Sequence, residues 1–96
     1  MKVLFHVATE EGAAFLLPLA LACRRGGHAF GVFFTHGGVR GLHDQRLQSA
    51  LHGAARAVVC EESWHRFCPG SACPVELGSQ TVNSALVGEA QRVVSL

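Results

Sequence analysis

Unbroken apolar runs alternate along this chain with longer stretches in which apolar and polar residues mix at helical spacing, and the two kinds of segment predict different elements. Residues 2–8 (Lys2-Val3-Leu4-Phe5-His6-Val7-Ala8) are a short apolar run closed by Thr9-Glu10-Glu11, the pattern of a strand buried in a parallel sheet. Residues 12–25 are rich in Ala and Leu and end in Arg24-Arg25 before Gly26-Gly27, which predicts a helix with basic residues in its last turn and a glycine stop. Pro18 inside it removes one hydrogen bond and predicts a kink. Apolar residues nearly surround this helix, so it is expected to bury one side against a sheet and another against a second subunit.

The second strand is expected over residues 28–34, followed by the turn-forming loop Thr35-His36-Gly37-Gly38-Val39, whose glycines permit positive φ. Residues 41–53 predict a modest helix with Leu42, Leu47 and Leu51 inward and His43, Asp44, Arg46 and Gln48 outward. Residues 54–60 predict a third strand, followed by a short helix through Phe67, while Cys68-Pro69-Gly70-Ser71-Ala72-Cys73-Pro74 is a loop by composition. Over residues 78–90, Val82, Leu86 and Ala90 recur at fourfold spacing, predicting an amphipathic helix with Ser79 as its cap, and residues 91–96 predict a last strand. Strands alternating with helices imply right-handed βαβ crossovers, a mainly parallel sheet with helices on both faces, and a single domain over residues 1–96.

Composition narrows the function more than it names it. At 96 residues the chain buries somewhat over about 60% of its unfolded surface. Hydrophobic residues reach 49% and charged residues only 16%, against roughly 25% charged in ordinary soluble domains, so apolar surface is expected to be hidden in an oligomer. A formal net charge of +1, with Lys2 the only lysine, gives no footprint for nucleic acid or an anionic membrane. The first apolar run is too short for a signal peptide and no run is long enough for a membrane span, which reads as a cytoplasmic protein whose thiols stay reduced.

The stretch Arg56-Ala57-Val58-Val59-Cys60-Glu61-Glu62-Ser63-Trp64-His65 therefore draws the chemistry to itself. It sets Cys60 where a β-branched strand gives way to a helix, at the carboxyl rim of the sheet, where ligands and reacting groups collect in open α/β folds. The helix N-terminus favours the thiolate, Glu61 and Glu62 oppose it, and His65 or Arg66 one turn on would offset them. Sequence alone does not sign the sum.

The order of pieces resembles a known family. An N-terminal strand leads to an apolar helix ending Arg25-Gly26-Gly27-His28, then Val32-Phe33-Phe34 with Gly37-Gly38-Val39 close behind. Val58-Val59-Cys60 follows, and the chain closes on Glu89-Ala90-Gln91-Arg92-Val93-Val94-Ser95-Leu96. This is similar to the DsrE-like (DsrE/TusD) sulfur-relay proteins over almost the whole length. The resemblance implies a flavodoxin-like three-layer α/β sandwich that assembles into oligomers of identical or related subunits. It also implies a persulfide carried on Cys60, exchanged with donor and acceptor proteins and requiring no cofactor. The basic pair with glycine that often follows the family's cysteine helix is replaced here by Trp64-His65-Arg66-Phe67-Cys68.

Other residues are weighed against that reading. Cys68 and Cys73 either relay sulfur from Cys60 or are unrelated loop thiols. His36, on a loop opening at the same sheet edge, either polarises the thiol or faces solvent. Cys60, His65, Cys68 and Cys73 together supply the ligand count of a tetrahedral zinc, although no close Cys-x-x-Cys pair occurs, so a zinc-binding or non-catalytic oligomeric subunit is the alternative. The acidic turn after the first strand argues against nucleotide binding.

Overall fold

The computed structural model describes all 96 residues. Five strands, β1 (Val3–Val7), β2 (Phe30–Phe34), β3 (Arg56–Cys60), β4 (Glu76–Gly78) and β5 (Arg92–Ser95), form one sheet in the order β4-β3-β2-β1-β5. Every neighbouring pair is parallel. Between them run α1 (Glu10–Gly26), a 3₁₀ segment (His36–His43), α2 (Gln45–Leu51), α3 (Glu61–Phe67) and α4 (Gln80–Glu89). The mixed α/β sandwich expected from the alternation of patterns is present, with its sheet wholly parallel.

Topology decides which helix lies on which face. The first three crossovers each step one strand outward from β1 to β4, while the last returns across the whole sheet to β5. Crossovers of one hand that move in opposite directions lie on opposite faces. Accordingly Leu16 and Ala20 of α1, Leu47 of α2 and Trp64 of α3 close over Phe5, Phe30, Val32, Phe34 and Val59 in the larger core. On the other face Leu86 of α4, with Val82, Ala90 and Met1 packed beside it, closes over Leu4, Phe33, Val58 and Cys60 in the smaller one. The period-two alternation of strand side chains thus divides β3 between the cores, Val59 to one and Cys60 to the other.

Local chemistry fixes the element ends. Thr9 caps α1, its Oγ1 accepting from the Gly12 N–H at 2.9 Å, and Glu10 and Glu11 complement the first turn. Gly27, at φ 70°, ends the helix in the left-handed conformation that glycine adopts without a Cβ penalty. Pro18 does not end α1: it lies on the exposed side of the helix, where water can meet the carbonyl it leaves unbonded.

Four expectations need correction. Residues 36–43 are a 3₁₀ segment in place of a glycine turn, and the positive φ there belongs to His36 (48°), not to Gly37 or Gly38. Gly38 is required by close approach instead, since a Cβ would meet the Val7 carbonyl oxygen. The helix expected over residues 41–53 is cut at Asp44, whose carboxylate accepts from the Arg46 N–H at 2.9 Å and so starts α2 afresh. Residues 76–78 form a strand that sequence did not announce, and Gly78 ends it instead of opening α4. Ser79 stands at the α4 cap position but its side chain makes no capping hydrogen bond.

Candidate functional site around Cys60

Parallel register lines up the strand ends. Phe34 lies level with Val59, and Cys60 with Gly78, so the residues just beyond β2, β3 and β4 gather at one carboxyl rim. Cys60 is both the last residue of β3 and the cap position of α3. The residue is 7% exposed and opens on two hollows. The smaller, about 120 Å³, is lined by Thr35, His36, Glu62, Ser63, Arg66 and Gln80 among others. The wider, about 440 Å³, is lined by Glu61, Glu62, His65, Gly78, Ser79 and Gln80.

Beneath the sulfur lies a small buried hydroxyl network. Ser63, on the first turn of α3, accepts from the His36 backbone N–H at 2.9 Å, and its Oγ is 3.3 Å from Thr35 Oγ1. Thr35 and Ser63 are the two buried polar residues of the chain. Because the Ser63 oxygen already accepts from the His36 N–H, its own proton is free to turn to the neighbouring sulfur, and either hydroxyl of the Thr35–Ser63 pair can donate to the other. From the other side of the rim the Gln80 amide donates to Cys60 Sγ at 3.8 Å, and Asn83 Nδ2 donates to Gln80 Oε1 at 3.2 Å.

These groups decide the state of the thiol. Burial pushes Cys60 upward and is the largest single influence. The Ser63 hydroxyl and N–H, the Thr35 hydroxyl and the Glu62 N–H together outweigh it and hold Cys60 below the ordinary thiol value. The other three cysteines go the opposite way. Burial raises Cys23; it raises Cys68 against the pull of Arg40; it raises Cys73 against the Val75 N–H, with Cys68 adding to the rise. All four are free thiols.

The residues singled out in the sequence are thereby sorted. His36 and His65 do line the hollows beside Cys60, one in each. Cys68 belongs to the larger core on the far face of the sheet, with Sγ 3.5 Å from His43 Nε2, and Cys73 packs against that same core. The proposed zinc set of Cys60, His65, Cys68 and Cys73 does not converge, and no group of three or more His, Cys, Asp or Glu side chains is arranged to hold a metal ion. The reason is strand alternation, which turns the Cys60 side chain to the α4 face while the α3 helix and the loop beyond it pack on the other. A further hollow of about 300 Å³ between α1 and α2, lined by Glu10, Arg40, Asp44 and Arg46, contains no cysteine.

Sequence reasoning missed Thr35, Ser63 and Gln80 as partners of the thiol. Two signals were available: Ser63 stands three residues after a cap position, where a side chain reaches back to the cap, and Thr35 directly follows a parallel strand level with β3. The signal for Gln80 was hidden with β4. Compared with known proteins, the chain matches no family model, and no curated protein matches it. No helix is long and apolar enough to cross a membrane.

Proposed function

We propose that the protein is a sulfur carrier of DsrE-like type, taking sulfane sulfur on Cys60 as a persulfide and passing it to a thiol of a partner protein in the reducing cytoplasm. The observation that carries this reading is the contrast among the four cysteines. Only Cys60 is drawn toward the thiolate, the form that attacks sulfur, and only Cys60 opens on hollows at the carboxyl rim.

The transfer needs no oxidant. The Cys60 thiolate attacks the outer sulfur of a donor persulfide, a new S–S bond forms, the donor's S–S bond breaks, and the donor leaves as a thiolate. In the second step an acceptor thiolate attacks the outer sulfur of the Cys60 persulfide, and Cys60 leaves as the thiolate it began as. The Ser63 and Thr35 hydroxyls serve both steps, since they stabilise the anion that attacks first and departs second. The wider hollow gives a second protein's cysteine its approach.

The reading is tested by handing over labelled sulfur. Protein loaded from a donor carrying radioactive sulfane sulfur is freed of excess donor and mixed with a small dithiol. Label should leave the protein in the wild type and never be acquired by Cys60→Ser. Equal labelling of the two proteins would dismiss the proposal.

A further inference from the structure

An all-parallel sheet has two edges to protect, and at β5 this one leaves its edge bare. All four residues of β5 are exposed, and the strand stands last in the sheet. Its inner side is bonded to β1, with the Arg92 N–H donating to the Lys2 carbonyl at 3.1 Å and the Leu96 N–H to the His6 carbonyl at 2.8 Å. Successive N–H groups of a strand point to opposite sides, so those of Val93 and Ser95 face outward. Above the edge runs one exposed row of α1, Glu11, Phe15 and Leu19 at fourfold spacing. This row is on the side of the helix turned to β5, because Gly12 lies against the Leu96 backbone. Phe15 is 65% exposed and Val93 45%, the two most exposed of the large apolar residues. Val94 and Arg92, level with Phe5 and Val3, share the α1 face.

We infer that this edge joins two copies of the chain, β5 against β5, antiparallel about a two-fold axis perpendicular to the sheet. The pattern of charge selects the occupant. Along the edge, the cation Arg92 stands at one end, Val93 and Val94 in the middle, and the anion Glu11 at the other end beside Leu96. Neither Arg92 nor Glu11 takes part in an ion pair within the chain. A two-fold axis reverses the strand, so each Arg92 arrives at the Leu96 end of the other copy, next to Glu11, while Val94 meets Val94 at the axis. The edge is thus complementary to itself.

Spacing agrees with this arrangement. Across the seam the two β1 strands stand three strand spacings apart, about 14 Å. Helices in direct contact pack at about 8–10 Å. The α1 helices, seated over their own sheets, therefore leave a gap of several ångströms above the seam, which Phe15 and Leu19 from each copy fill. Cys60 lies on the fourth strand from the seam, and the two carboxyl rims point in opposite directions, so both thiols stay open. The interface holds whatever Cys60 carries.

Sedimentation equilibrium at tens of micromolar protein tests the inference, with circular dichroism to show that each variant is folded. The wild type is expected at twice the chain mass of 10.2 kDa. Phe15→Glu and Val94→Lys, both at exposed positions, should each return it to a single chain mass. Arg92→Glu alone should weaken association at least about tenfold by setting like charges together, and Glu11→Arg with Arg92→Glu should restore it. A wild type that sediments as a monomer overturns the inference. So does an oligomer indifferent to Phe15→Glu and Val94→Lys, or a charge-reversed pair that fails to recover.

Discussion

Four thiols share one short chain, and what separates Cys60 from the rest is the company of hydroxyls. Ser63 and Thr35 act on the sulfur as a pair: the two hydroxyls meet, and the His36 N–H fixes the Ser63 oxygen. Replacing Ser63 with Ala should raise the Cys60 value and slow its alkylation by iodoacetamide at pH 7 by about tenfold, the scale of one hydrogen bond to a charged group. In the wild type, peptide mapping after brief alkylation at neutral pH should find Cys60 modified ahead of Cys23, Cys68 and Cys73, the lead shrinking as pH rises through the ordinary thiol range. The same shifts carry a stability consequence. A thiol held below its unfolded value contributes stability that is complete above that unfolded value and is lost as pH falls through the folded one. For Cys23, Cys68 and Cys73, whose values burial raises, the sign reverses: the contribution is complete below the unfolded value and is lost as pH rises through the raised folded one. His36 is a different kind of residue, holding a left-handed φ that costs a histidine more than a glycine. His36→Gly is expected to leave unfolding stability equal or raise it by roughly 1 kcal/mol, measured by urea titration.

At the level of elements, the face of the sheet that the Cys60 side chain takes has α4 as its one covering helix. Leu86 is the one fully buried residue of α4, and it covers Leu4, Phe33 and Val58 without help from a second helix on that face. Leu86→Ala should cost about 2–5 kcal/mol in chemical denaturation. It should also release the Gln80 end of the helix from Cys60, seen as faster amide exchange across α4 than across α1. The elements also show why some of the chain was legible and some was not. β1, β2 and β3 were readable because strands buried on both faces must be apolar at nearly every position. β4 was not, because Glu76 and Leu77 lie exposed at a sheet edge and carry no burial pattern. The division at Asp44 was missed because Leu42, Leu47 and Leu51 all point inward from either side of it, so apolar spacing continues across a break that only the cap reveals.

Across the whole molecule, the parallel sheet was written into the alternation of strands and helices, and the carboxyl rim followed from it. Which face each side chain takes was not. That depends on strand order, and strand order is set by contacts between segments distant in sequence. The zinc set failed for this reason, since Cys60 and Cys68 are close in sequence but stand on opposite faces. The low share of charged residues read from composition has its counterpart in the exposed row of α1 and the bare β5 edge. The central claim, that Cys60 bears sulfur, is met most directly by intact-protein mass spectrometry after incubation with a low-molecular-weight persulfide donor, without reductant, on wild type and Cys60→Ser side by side. The expected result is a gain of one sulfur atom in the wild type and none in the variant. A wild type that gains nothing, or a variant that gains as much, would contradict it.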